Sequence, residues 1–90
     1  MREFSIEGGL RKQIDKLVKK DKVMYSAIMN KIEEILNISD INHYKNLRAP
    51  LQEFKRVHIK GSFVLLFKYD PVNDTIIFYD LDHHDSAYAH

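Results

Sequence analysis

The sequence predicts an α+β fold, an antiparallel helical hairpin followed by an antiparallel β-meander. Three observations carry the prediction. Apolar residues recur at helical spacing between residues 9 and 36, and three short β-rich apolar runs crowd into residues 54–81. The breaks between those runs are made of turn residues. Ninety residues with 44% hydrophobic content suffice for one small core, so a single domain over 1–90 is expected.

At the N-terminus, Arg2-Glu3-Phe4-Ser5-Ile6 alternates polar and apolar, which suits a short strand with Phe4 and Ile6 on one face. Over residues 9–20, Leu10, Ile14, Leu17 and Val18 fall on one helical stripe, with Arg11, Lys12, Lys16, Lys19 and Lys20 around it. Cations in the last turn favour the helix dipole there. Asp21 reads as the N-cap of a second helix reaching about Leu36, whose inner side carries Met24, Ala27, Ile28, Ile32, Ile35 and Leu36. So short a connection makes the two helices an antiparallel hairpin.

Residues 37–52 are rich in Asn, Ser and Asp and read as a loop, with Pro50 discouraging helix at Ala49. The meander follows as runs 54–60, 63–69 and 75–81. Gly61 in the first break, and Asp70-Pro71 with Asn73-Asp74 in the second, supply turn chemistry. In the first run, alternation puts Val57 and Ile59 on one face and Arg56, His58 and Lys60 on the other. The second run, Phe63-Val64-Leu65-Leu66-Phe67, is apolar on both faces and reads as a central strand. Two helices cover only one face of so small a sheet, so the other face calls for a partner chain or for neighbouring loops.

The absence of cysteine excludes a disulfide framework and thiolate metal sites. No apolar run approaches the ~20 residues of a membrane helix. The first residues lack the apolar core of a signal peptide, so a cytoplasmic protein that engages no membrane is expected. The net charge of +1 is unevenly spread. All 14 Lys and Arg precede Tyr69 and meet eight acids there, leaving +6, whereas the rest has five acids, no Lys or Arg, and −5. A positive body suits a polyanionic ligand.

The residues able to carry chemistry are the basic strand face (Arg56, His58, Lys60) and the tail that follows the meander. That tail, Asp82-His83-His84-Asp85-Ser86-Ala87-Tyr88-Ala89-His90, holds three of the five histidines. Strand adjacency would bring the two together. Cleaving RNA without a metal needs a base for the 2′-hydroxyl proton, an acid for the departing 5′-oxygen, and cations for the charge growing on phosphorus. Histidine serves as acid or base near neutral pH, Arg and Lys supply charge, and Tyr stacks on a base. The plainer readings are a solvated strand face and a weak metal site in the tail. None of the metallohydrolase helix spacings is present, so no metal or other cofactor is expected.

The element order resembles the RelE/ParE toxin superfamily of toxin–antitoxin pairs. The resemblance is carried by Asn46-Leu47-Arg48-Ala49-Pro50-Leu51, Phe54-Lys55-Arg56-Val57-His58-Ile59, Ser62-Phe63-Val64-Leu65-Leu66-Phe67 and His83-His84-Asp85-Ser86-Ala87-Tyr88. The histidine-containing YafQ branch is the more similar one. The resemblance implies a helical hairpin packed on a small twisted antiparallel sheet. It also implies a metal-independent endoribonuclease that cleaves mRNA in the ribosomal A site, and a RelB- or DinJ-like antitoxin bound in a hetero-oligomer. By the same resemblance His84, His58, Arg56 and Tyr88 are the catalytic candidates, and Lys45, Arg48, Lys60 and His83 the substrate-binding ones. Lys45 stands at the loop histidine of YafQ, with His43 nearby. Val64 stands where RelE carries an arginine, and Ser62 where YafQ carries an aspartate. The alternative class is a relative without nuclease activity, either a ParE-like gyrase poison or a homologue that has lost activity.

Overall fold

The N-terminal alternation forms β1 (Glu3–Ile6), and Glu7 caps the helix that follows, its carboxylate accepting the Gly9 amide at 2.8 Å. That helix, α1 (Gly8–Lys20), meets α2 (Lys22–Asn37) across the single residue Asp21. The Asp21 amide donates back to the Leu17 carbonyl (3.0 Å) while its carboxylate accepts from the Met24 amide (3.0 Å). One side chain thus ends one helix and starts the next, which fixes the hairpin. Leu10 and Ile14 of α1 and Met24, Ile28, Ile32, Ile35 and Leu36 of α2 are buried. Val18 is exposed instead, because Leu17 takes the inward position in the last turn.

The structure, a computed structural model, describes residues 1–83. The meander consists of β2 (Lys55–His58), β3 (Phe63–Asp70) and β4 (Thr75–His83), paired antiparallel with β3 in the centre. β1 joins the other side of β4 in parallel, so the sheet runs β1-β4-β3-β2 and is mixed. A parallel pair needs a long crossover, and here the hairpin, the loop and two strands supply it.

The turns use their residues as their chemistry requires. Gly61, between β2 and β3, has φ +60°, a conformation in which a side chain would be strained. Between β3 and β4 the Asp70 carboxylate accepts the Val72 amide (3.0 Å) and the Asn73 side-chain amide (2.7 Å), an Asx turn. Asp74, at φ +51°, accepts from the Tyr69 hydroxyl (2.7 Å) and from Arg2 (2.9 Å). Arg2 also donates to the Ile38 carbonyl, tying the end of α2 to this turn.

The register of β3 against β4 shifts between Leu66 and Phe67, since Leu66 faces Asp80 while Phe67 faces Phe78. Tyr79 is the extra residue of a β-bulge. Before the bulge Ile76 and Phe78 face the helices, and after it Leu81 does, all three inside the core with Leu65 and Phe67. Tyr79 and Asp80 are therefore turned to the outer face. The segment before β2 includes a 3₁₀ turn, Ile41–His43, and its residues Ile41, Tyr44 and Leu47 are buried. The Ala49–Pro50 peptide bond is cis. No helix among the described residues is long and apolar enough to cross a membrane.

Candidate functional site

Directly opposed residues share a face, so the register sorts the outer face of the sheet into two rows. Arg56, Leu66 and Asp80 form one, and His58, Val64 and Asp82 the other. Each runs from a basic residue on β2, across a buried aliphatic residue on β3, to an acid on β4. Two strand spacings separate β2 from β4 backbones, about 10 Å. Strand adjacency therefore does not join β2 to the tail strand, because β3 intervenes. Val64, at the centre of the second row, is fully buried and contributes no charge there.

A shallow cleft of about 280 Å³ opens beside β2. Arg56, Val57 and His58 line one wall, and His43, Tyr44 and Lys45 of the preceding loop line the other. The loop is held against the strand by the Arg56 amide donating to the Lys45 carbonyl (3.2 Å) and the Leu47 amide donating to the Phe54 carbonyl (2.8 Å). Its buried anchor is Tyr44, whose ring meets Phe67 edge-on at 5.7 Å and whose hydroxyl donates to the Glu34 carboxylate of α2. That hydroxyl holds the Glu34 carboxyl below its ordinary range, against the opposing effect of burial and with help from Lys31 at 3.2 Å. Burial first, and the bond to Glu34 second, push the Tyr44 phenol up. Tyr44 thus remains a neutral donor.

The structure brings Lys45, Arg56 and His58 together in this cleft, with His43 beside them. Arg48 and Lys60 are exposed in the flanking turns and do not line it. His83 opposes Phe63, with ring centres 5.3 Å apart, which puts it on the face opposite His58. His84 and Tyr88 lie outside the described residues. Among the described residues, no three His, Asp or Glu side chains are grouped to hold a metal ion.

Three residues of the site were not singled out from the sequence. Asp80 and Asp82 share the outer face with Arg56 and His58, an arrangement set by the bulge. Lys55 is buried, and the alternation Lys55-Arg56-Val57-His58-Ile59 already carries its signal, since it puts Lys55 on the face of Val57 and Ile59. A second, larger cleft, of about 580 Å³, opens between the outer side of the sheet and the start of α1, its floor made by Leu51, Phe54, Leu66 and Tyr79 and its other side by Glu7, Leu10 and Gln13, with Asp80. Lys68 stands over the Phe54 and Tyr79 rings (4.9 and 5.1 Å) and pairs with Glu53 at 3.0 Å.

Two helices packed on a four-stranded mixed sheet make the α+β fold of the RelE-like toxins. A chain of the Mycobacterium tuberculosis RelBE2 toxin–antitoxin complex superposes with a TM-score of 0.72 at 20% identity, covering 91% of this chain and 96% of that one. A chain of the Escherichia coli DinJ–YafQ complex superposes with a TM-score of 0.72 at 14% identity, covering 99% and 100%. No family model matches the sequence. A Methanocaldococcus jannaschii protein described as "Putative toxin RelE4" is 52% identical over 88 residues, 98% of this chain and 92% of its own. At that identity and coverage, the chain belongs to the RelE family of toxin–antitoxin toxins.

Proposed function

We propose that this toxin is a metal-independent endoribonuclease that cleaves mRNA on the ribosome and is neutralised by a cognate antitoxin. The observation that carries the reading is the convergence of Lys45, Arg56 and His58 in one cleft. In this reading His58 takes the proton from a 2′-hydroxyl, whose oxygen attacks phosphorus. Arg56 and Lys45 stabilise the charge growing on the phosphate oxygens. The bond to the 5′-oxygen breaks, and that oxygen receives a proton from His84, leaving a cyclic phosphate. The role of His84 rests on the family resemblance, as does a stacking role for Tyr88. Cleavage thus proceeds with a proton removed at one oxygen and returned at the other.

Primer extension on mRNA from translating ribosomes tests the reading. His58→Ala and His84→Ala are each expected to lower cleavage by roughly 10²–10⁴-fold, the usual contribution of a positioned acid or base. A transition-metal chelator that leaves ribosomal Mg²⁺ in place is expected to have no effect. Wild-type-like cleavage by His84→Ala would remove that residue from the mechanism. Absence of cleavage by the wild type would favour the non-nuclease class, a gyrase poison or an inactive homologue. The aliphatic Val64 at the centre of the outer face is the feature that suits that class.

An antitoxin partner accounts for the apolar outer side of β3. The structurally similar RelBE2 and DinJ–YafQ chains come from toxin–antitoxin complexes. Here Leu66, with Leu51, Phe54 and Tyr79, floors the larger cleft. A segment disordered until it binds would bury that surface as it folds.

A further inference from the structure

Lys55 is the one charged residue buried among the described residues, at 6% exposure. On packing grounds the position asks for an apolar side chain, since Val57 and Ile59 of the same face pack against the core. A buried ammonium is costly unless its hydrogens are bonded, and apolar replacement of buried charge is often neutral or stabilising. What Lys55 does with its charge is therefore informative. Its Nζ donates to the Tyr44 carbonyl at 3.0 Å and to the Asn46 side-chain oxygen at 2.9 Å. Those acceptors belong to the residues immediately before and after Lys45, so the ammonium brackets Lys45 from beneath. Burial depresses the ammonium's affinity for its proton, partly offset by Asp40.

We propose that Lys55 is a positioning residue: it holds the 44–46 segment against β2 and so sets where Lys45 stands relative to Arg56 and His58. Its effect on RNA is exerted through Lys45, since its own charge is directed into the loop. Because it rests on the nuclease reading only for its cleavage readout, a second measurement follows the loop itself.

The test uses Lys55→Met, which keeps the length and apolar stem, and Asn46→Ala, which removes one acceptor at an exposed position. Each is made alone and combined with Lys45→Ala. Displacing a substrate-positioning group by about 1 Å costs up to ~10²-fold, so Lys55→Met is expected to lower cleavage about 10- to 100-fold and Asn46→Ala by less. In the Lys45→Ala background neither is expected to lower it by more than about twofold, because coupled residues are not additive. Hydrogen exchange at the Leu47 and Arg56 amides, which bond the loop to the strand, is expected to accelerate in both variants. Full additivity with Lys45→Ala, or wild-type cleavage by Lys55→Met, overturns the proposal. If Lys55→Met does not fold, Asn46→Ala carries the same comparison. If the wild type does not cleave, the nuclease reading falls, and exchange decides the proposal: acceleration supports it and unchanged rates overturn it.

Discussion

Tyr44 shows how one residue couples the core to the site. Its ring packs on Phe67, its hydroxyl donates to Glu34 of α2, and its carbonyl accepts a hydrogen bond from Lys55 of β2. A bond to an ionised carboxylate exceeds an ordinary one, and net values run to about 1.5–3 kcal/mol before solvent exposure of Glu34 reduces them. Tyr44→Phe is accordingly expected to cost about 1 kcal/mol at neutral pH, roughly 4–8 °C in Tm for a domain of this size. The pH dependence follows from the direction of the Glu34 shift. Tyr44 first, and Lys31 with it, lower this carboxyl's pKa in the folded state beneath its ordinary 4.5. Over that window the unfolded chain binds more protons. The contribution is therefore complete above about 4.5 and is lost as pH falls through the lower folded value. Thermal melts of wild type and Tyr44→Phe between pH 7 and 3 check this: the gap in Tm should narrow in acid, and a constant gap would refute the assignment.

Among the elements, β3 carries the most information, because it is apolar on both faces and so marks both the core and the outer surface. Leu65 and Phe67 face the helices, whereas Val64 and Leu66 face away and are still buried. Leu51 and Phe54 of the neighbouring loop lie beside Leu66 but leave the larger cleft open. Co-expression with the adjacent reading frame is expected to give a stable complex and relieve growth arrest. Leu51→Glu, at a half-buried position lining that cleft, is expected to weaken that complex at least 10-fold while leaving the fold intact, as loss of an apolar anchor does. Unhindered expression alone, with no complex on mixing, would count against an antitoxin on this face. Much of this architecture was legible locally. The 3.6-residue stripes gave both helices, Asp21 gave their junction, and Gly61 and Asp70 gave the turns. The parallel pairing of β1 with β4 joins residues more than 70 positions apart, and no local pattern encodes it. The bulge at Tyr79 is likewise a matter of register, and it decides that Asp80 faces outward. Arg56 and His58 were legible as one face from alternation alone, whereas the opposite wall of their cleft depends on Tyr44 and Lys55 closing a loop.

Across the whole molecule, the division of charge along the chain becomes a division across one sheet face. β2 and its loop present Lys45, Arg56 and His58, and β4 presents Asp80 and Asp82, with Val64 and Leu66 between. A polyanion approaching this face is drawn to the β2 side and repelled from the β4 side, which orients it over the smaller cleft. Arg48 and Lys60, exposed in the turns on either side, extend the positive edge. Each cation that neutralises a phosphate of a single strand steepens the dependence of log K on log salt by about 0.7. Binding of a short single-stranded RNA, followed from low to moderate salt, is therefore expected to lose about 1.4 units of slope in Lys45→Gln/Arg56→Gln. Arg48→Gln/Lys60→Gln is expected to lose less, because those side chains stand outside the cleft. Asp80→Asn/Asp82→Asn is expected to tighten binding, since it removes the repelling side of the face. Unchanged affinity and slope in Lys45→Gln/Arg56→Gln would reduce the basic side of β2 to a solvated surface, and with it the case for RNA in the cleft.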